Sequence, residues 1–81
     1  MQADTLGLTN WRQRKGISLE TIARDTKLSV RLLQAIESGD FRKLPGGIYN
    51  TSYIRQYARA IEFDETLLLN FYQGKSSTQT A

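Results

Sequence analysis

Two short helix-forming segments separated by a tight turn constrain this chain more than any other feature. Ser18 and Ser29 each stand where a helix should begin, because a serine hydroxyl can accept from the free N–H groups of a first turn. After Ser18, Leu19, Ile22 and Ala23 recur at i, i+3, i+4. After Ser29, Val30, Leu33 and Ile36, with Leu32 beside them, mark a second buried face. Asp25 to Leu28 reads as the turn between them, and Gly39 stands where a left-handed residue closes the second helix. Ala23 is small, as it must be where two helices cross closely. This is a helix-turn-helix, an arrangement that presents its second helix to a partner.

The remaining punctuation extends the pattern to five helices in an all-α fold. Asp4 is placed to cap a first helix running to about Lys15, with Gly16 at its left-handed end. Asp40 to Ile48 is the one real loop, and its Leu44-Pro45-Gly46-Gly47 element should bend sharply. A fourth helix starts near Asn50, with Ile54, Tyr57, Ala58 and Ile61 on one face. Asp64 caps a fifth, which should bury Leu67, Leu68 and Phe71. From Gly74 the sequence loses any apolar face. The expected organisation is a helix-turn-helix domain over 1–73 and a disordered tail over 74–81.

Composition removes several functions. The 81 residues contain no cysteine, so no disulfide or cysteine-based zinc site can form, and no histidine, the commonest metal ligand and usual general base. No cofactor is expected. The eight carboxylates fall mostly at caps or on polar faces, and no nucleophile has a base beside it in a recognisable pattern, so an enzyme is not expected. A net charge of +3 and a pI near 9.5 permit an acidic partner without requiring one. Leu67-Leu68-Leu69 is the longest aliphatic run, far short of the roughly 20 apolar residues of a membrane span. With no signal-peptide pattern at the N-terminus, the expected setting is cytoplasmic.

The chain resembles the lambda-repressor-like helix-turn-helix family. Four stretches carry a closer resemblance: Arg12 to Glu20, Ala35-Ile36-Glu37-Ser38-Gly39-Asp40-Phe41, Leu44-Pro45-Gly46-Gly47-Ile48-Tyr49, and Tyr53-Ile54-Arg55-Gln56-Tyr57-Ala58-Arg59. Together they are similar to the N-terminal cytoplasmic domain of the bacterial RodZ family, over about Leu6 to Tyr72. The resemblance implies docking on the actin-like filament protein MreB at the inner face of the membrane, with the fourth helix and adjoining surface as docking face. It also implies that membrane attachment comes only through a segment outside this chain. The pattern departs at Trp11, where a small residue is usual, at Thr9 and Asn10, where charged residues are common, and at Glu62, where glycine is usual.

Two partner classes remain open on the residues themselves. Tyr49, Tyr53 and Tyr57 fall at i+4 intervals and form a stripe. Tyrosine suits interfaces because it buries apolar area while its hydroxyl stays wet. Arg55 and Arg59 lie on a neighbouring face, where they could meet an acidic protein surface, although Tyr57 reads more readily as core, and a core place is the competing reading for Tyr49 and Tyr53. The alternative is a DNA-binding transcriptional regulator using the third helix. Arg31 suits guanine, Gln34 adenine and Val30 a thymine methyl, with Ser29 at the helix start. Lys27, Arg42 and Lys43, with Arg12 and Lys15, are candidate phosphate contacts. Against it, Leu19 stands where repressors of this fold carry a DNA-bracing glutamine, and Lys27 where the turn often has glycine. Pro45-Gly46-Gly47 lacks the strand and Gly-Lys-Ser/Thr of a phosphate loop and reads as a structural turn. No small-molecule substrate is implied.

Overall fold

The computed structural model describes residues 6–46 and 48–80, with side chains through residue 74. It contains α1 (Leu8–Arg14), α2 (Leu19–Thr26), α3 (Val30–Ser38), α4 (Tyr49–Ala60) and α5 (Glu65–Thr80), with a 3₁₀ turn at Phe41–Lys43. No strand occurs among the described residues, and the fold is all-α.

Ser18 Oγ accepts from the Thr21 N–H at 3.1 Å and opens α2. Ser29 Oγ accepts from the Leu32 N–H at 3.1 Å and opens α3. Between them the Thr26 hydroxyl donates to the Ile22 carbonyl at 2.7 Å and accepts from the Leu28 N–H at 3.2 Å, which closes the turn. Lys27 takes φ 68° there. Gly39, at φ 75°, ends α3, and its N–H and that of Asp40 return to the carbonyls of Ile36 and Ala35. Glu62 performs the same closure after α4 at φ 59°, with the Phe63 N–H on the Ala58 carbonyl at 2.8 Å. Asp64 Oδ1 then accepts from Thr66 and Leu67 N–H groups and caps α5.

Three boundaries and one expected core position differ from the sequence reading. Gly7, not Asp4, precedes α1, and Asp4 lies outside the described residues, as does Gly47 of the bend. Helix α4 begins at Tyr49, one residue early, because Asn50 is drawn inward. Its Oδ1 accepts from the Gly46 N–H at 2.9 Å and its Nδ2 donates to the Tyr72 hydroxyl at 3.3 Å. Leu67 is exposed, not buried. Successive helical residues point about 100° apart, so only one of Leu67 and Leu68 can face the core, and Leu68 does. Helix α5 runs through Gly74 to Thr80, into the segment read as a tail. Gly74 does not adopt the positive φ with which a glycine ends a helix.

All five helices contribute to one core. Leu8, Ile22, Leu33, Ile36, Ile54, Tyr57, Ile61 and Leu68 are almost wholly buried, each aliphatic side chain stabilising the fold by roughly 1.5–3 kcal/mol. Phe41 packs edge-on against Phe71 and Tyr72, and Leu44 is buried beside them, so the loop is held against α5. The indole of Trp11 donates to the Ile61 carbonyl at 2.7 Å and meets the Phe63 ring edge-on at 5.2 Å, tying α1 to the end of α4.

Glu37 of α3 lies inside this assembly, only 7% exposed. A buried carboxylate without partners would cost several kcal/mol, so its oxygens need donors. Thr9 Oγ1 and Arg12 of α1 supply some, and the Tyr57 hydroxyl of α4 donates at 2.6 Å. Burial, then the hydrogen bond and charge of Glu37, push the Tyr57 phenol far above its ordinary range, so it stays a donor. The hydrogen bond from Arg12 to Glu37 likewise holds the guanidinium more firmly protonated. No buried side-chain polar atom among the described residues lacks a partner.

Candidate partner-binding faces

Helix α4 separates its tyrosines. Tyr57, expected in the partner stripe, is fully buried with its hydroxyl on Glu37, so it belongs to the core and is withdrawn from the face. Tyr49 is 63% exposed and Tyr53 half-buried, their rings stacked at 6.5 Å and 23° between planes. The pair forms an aromatic ridge at the start of α4.

Arg55 and Arg59 are exposed as expected but are not free. Both reach Glu65 at the start of α5, Arg59 Nε at 2.9 Å and Arg55 Nε at 3.8 Å. The Arg59 hydrogen bond, with the charges of both arginines, outweighs desolvation and holds the Glu65 carboxyl below the usual range. The same bond raises the Arg59 guanidinium. Two cations sharing one carboxylate leave a single positive charge on this side of α4.

The outer side of α3 faces an open groove of about 780 Å³, bounded across from it by the loop after the 3₁₀ turn. Ser29, Arg31, Gln34, Ser38, Lys43 and Pro45 line it. The geometry thus brings together four of the DNA-contact candidates. Arg31 and Gln34 are exposed, and Arg31 has no carboxylate within ion-pair distance among the described residues. The other candidates are less available. Val30 is half-buried, and Lys27 is exposed in the turn outside the groove lining. Arg42 Nε lies 3.2 Å from Asp40 and Lys43 Nζ 3.5 Å from it. Desolvation pushes the Asp40 carboxyl up, but the Arg42 bond and the two nearby charges hold it below the usual range. Arg12 turns inward to Glu37, and Lys15 pairs with Glu62 at 3.0 Å.

Two features of these faces escaped the sequence reading. Glu65 compensates Arg55 and Arg59 across the α4–α5 turn, at separations of ten and six residues that no helix period links. Ile48, 82% exposed, is an apolar side chain in water directly before Tyr49, and its only signal was its place after the Pro-Gly-Gly bend. Among the described residues no group of three or more carboxylates could hold a metal ion, and no helix is long and apolar enough to cross a membrane.

A family model described as a helix-turn-helix domain matches residues 7–68. The chain is 33% identical over 78 residues to the Cytoskeleton protein RodZ of Streptococcus pneumoniae (strain ATCC BAA-255 / R6), covering 94% of this chain and 28% of that protein. It is 38% identical over 48 residues to the Uncharacterized membrane protein YmfM of Bacillus subtilis (strain 168), covering 59% of this chain and 17% of that protein. The chain therefore spans less than a third of the length of these curated relatives. No solved structure matches significantly. A continuous match from Gly7 to Leu68, over the helices that carry the α2–turn–α3 unit and the Glu37 network, places the chain in the helix-turn-helix domain family, as a domain of the RodZ type.

Proposed function

We propose that this domain is a non-catalytic binding module that docks on an actin-like filament of the MreB type through the Tyr49–Tyr53 ridge of α4. The observation that carries the reading is the stacked pair of exposed Tyr49 and half-buried Tyr53 on a helix whose opposite side is locked into the core. Interfaces concentrate their energy in a few aromatic anchors, and this pair offers two side by side. The similarity to a protein named for the cytoskeleton supports a filament as partner. Arg55 and Arg59 add positive charge only to the extent that a partner carboxylate competes with Glu65.

Co-sedimentation with MreB filaments tests this. Tyr49→Ala, at an exposed position, should weaken binding at least about tenfold with the helical signal unchanged. The pair Tyr53→Ala and Arg55→Ala should abolish it. Undiminished co-sedimentation of both variants would reject this docking face.

The α3 groove favours a second reading, a DNA-binding regulator, because Arg31, Gln34 and Lys43 line it together. Here Arg31→Ala should cost roughly 1–3 kcal/mol on a selected duplex and relax its sequence preference. A flat titration with pooled duplexes at low salt would remove this reading.

A further inference from the structure

Charge is unevenly distributed along the chain. Between Thr26 and Ile61 stand six cations, Lys27, Arg31, Arg42, Lys43, Arg55 and Arg59, and only two acids, Glu37 and Asp40, while Arg55 and Arg59 share Glu65 just beyond the stretch. Glu37 is buried against Arg12, so it offers little charge to solvent. In the middle of this positive stretch two large apolar side chains meet water, Ile48 at 82% exposure and Tyr49 at 63%. The segment carrying them is anchored. Leu44 on one side and Asn50 on the other are buried, and the Gly46 N–H donates to Asn50 Oδ1. Arg42 and Lys43, 79% and 70% exposed, precede this bend and share the single carboxylate of Asp40. Arg31 reaches the groove that Lys43 and Pro45 also line.

An exposed isoleucine five and six residues along the chain from two cations that share one carboxylate fits a partner that is anionic and can also bury hydrocarbon. Duplex DNA would satisfy the cations and leave Ile48 in water. The interface of an anionic bilayer supplies both, phosphate for the basic side chains and, just beneath it, acyl carbon for the apolar one, and tyrosine is at home in that layer. We infer that Arg42, Lys43 and Ile48 form a contact for the surface of an anionic membrane. Ile48 has helical geometry, so on the α4 wheel it lies about 100° from Tyr49 and about 140° from Tyr53. Lipid contact at Ile48 therefore leaves Tyr53 turned to another side. With one isoleucine and a few cations the contact is weak and reversible.

Sedimentation of the 81-residue chain with phosphatidylglycerol vesicles at low salt tests the inference, with phosphatidylcholine vesicles and a DNA duplex as the other arms. Binding is expected to phosphatidylglycerol and not to phosphatidylcholine, and to fall as salt rises from about 0.05 to about 0.3 M. Ile48→Ser should weaken it about tenfold, as loss of a buried apolar side chain does, and Lys43→Glu by a similar factor. Both positions are exposed, so circular dichroism should show the fold unchanged. No binding to phosphatidylglycerol at low salt overturns the inference. So does Ile48→Ser that binds as tightly as the parent, because charge alone would then account for the contact. Retention of the duplex in place of vesicles, lost in Lys43→Glu, would assign these cations to nucleic acid.

Discussion

At Lys27 and Glu62 a side chain bearing a β-carbon is held at φ 68° and φ 59°, a region where the β-carbon crowds the backbone by roughly 1–2 kcal/mol. Both residues close a helix, the task for which glycine is the usual choice. Lys27→Gly should therefore raise stability by about 0.5–1 kcal/mol in urea titration, after allowance for the extra freedom glycine gives the unfolded chain. Glu62→Gly should gain somewhat less, because it also deletes the solvent-screened pair with Lys15. A loss of stability in both variants would mean that the positive φ is not strained. Glu37 gives the opposite sign. Glu37→Gln leaves Arg12 without its charge partner inside the fold and should cost about 3 kcal/mol. Tyr57→Phe removes only one of several donors to the same carboxylate and should cost about 1 kcal/mol. If the two variants cost the same, the charge on Glu37 is not what matters.

Helices α4 and α5 are clasped by Glu65, which lies within reach of both Arg55 and Arg59. Its carboxyl titrates lower in the folded protein than in the unfolded chain, so its contribution is present above the ordinary carboxylate range and lost as pH falls through the lowered value. Thermal midpoints followed from about pH 7 to about pH 2 should fall more for the parent than for Glu65→Gln, with the difference confined to the acid end. Parallel curves would show that the clasp adds nothing. The helices themselves were legible because their boundaries rest on local chemistry: Ser18 and Ser29 accept from their own first turns, and Gly16 and Gly39 take positive φ. What the sequence could not show depends on contacts between elements. Glu65 meets its arginines only because α5 folds back on α4. Tyr57 and Tyr53 share a spacing, yet one is buried and the other is not, since Glu37 of α3 receives only the former. Asn50 starts α4 early because Gly46 and Tyr72 lie beside it.

The whole molecule has one core to which every helix contributes, so it should unfold in one step. Trp11 is a built-in reporter, because its indole binds the Ile61 carbonyl at the far end of α4. Its fluorescence and the helical circular-dichroism signal should give coincident melting curves, and separate transitions would show α1 detaching first. Leu68→Ala should cost about 3 kcal/mol, a large share of the roughly 4–12 kcal/mol expected for a domain of this size. The inward fastening of α3 has a further consequence. Glu37, Leu33 and Ile36 hold that helix from behind, while Arg31 and Gln34 take no part in holding it. The outer surface can therefore be rewritten without disturbing the frame: a lineage could exchange one clientele for another by changing two or three outward side chains, and an engineer could install a new specificity there on a scaffold that does not notice.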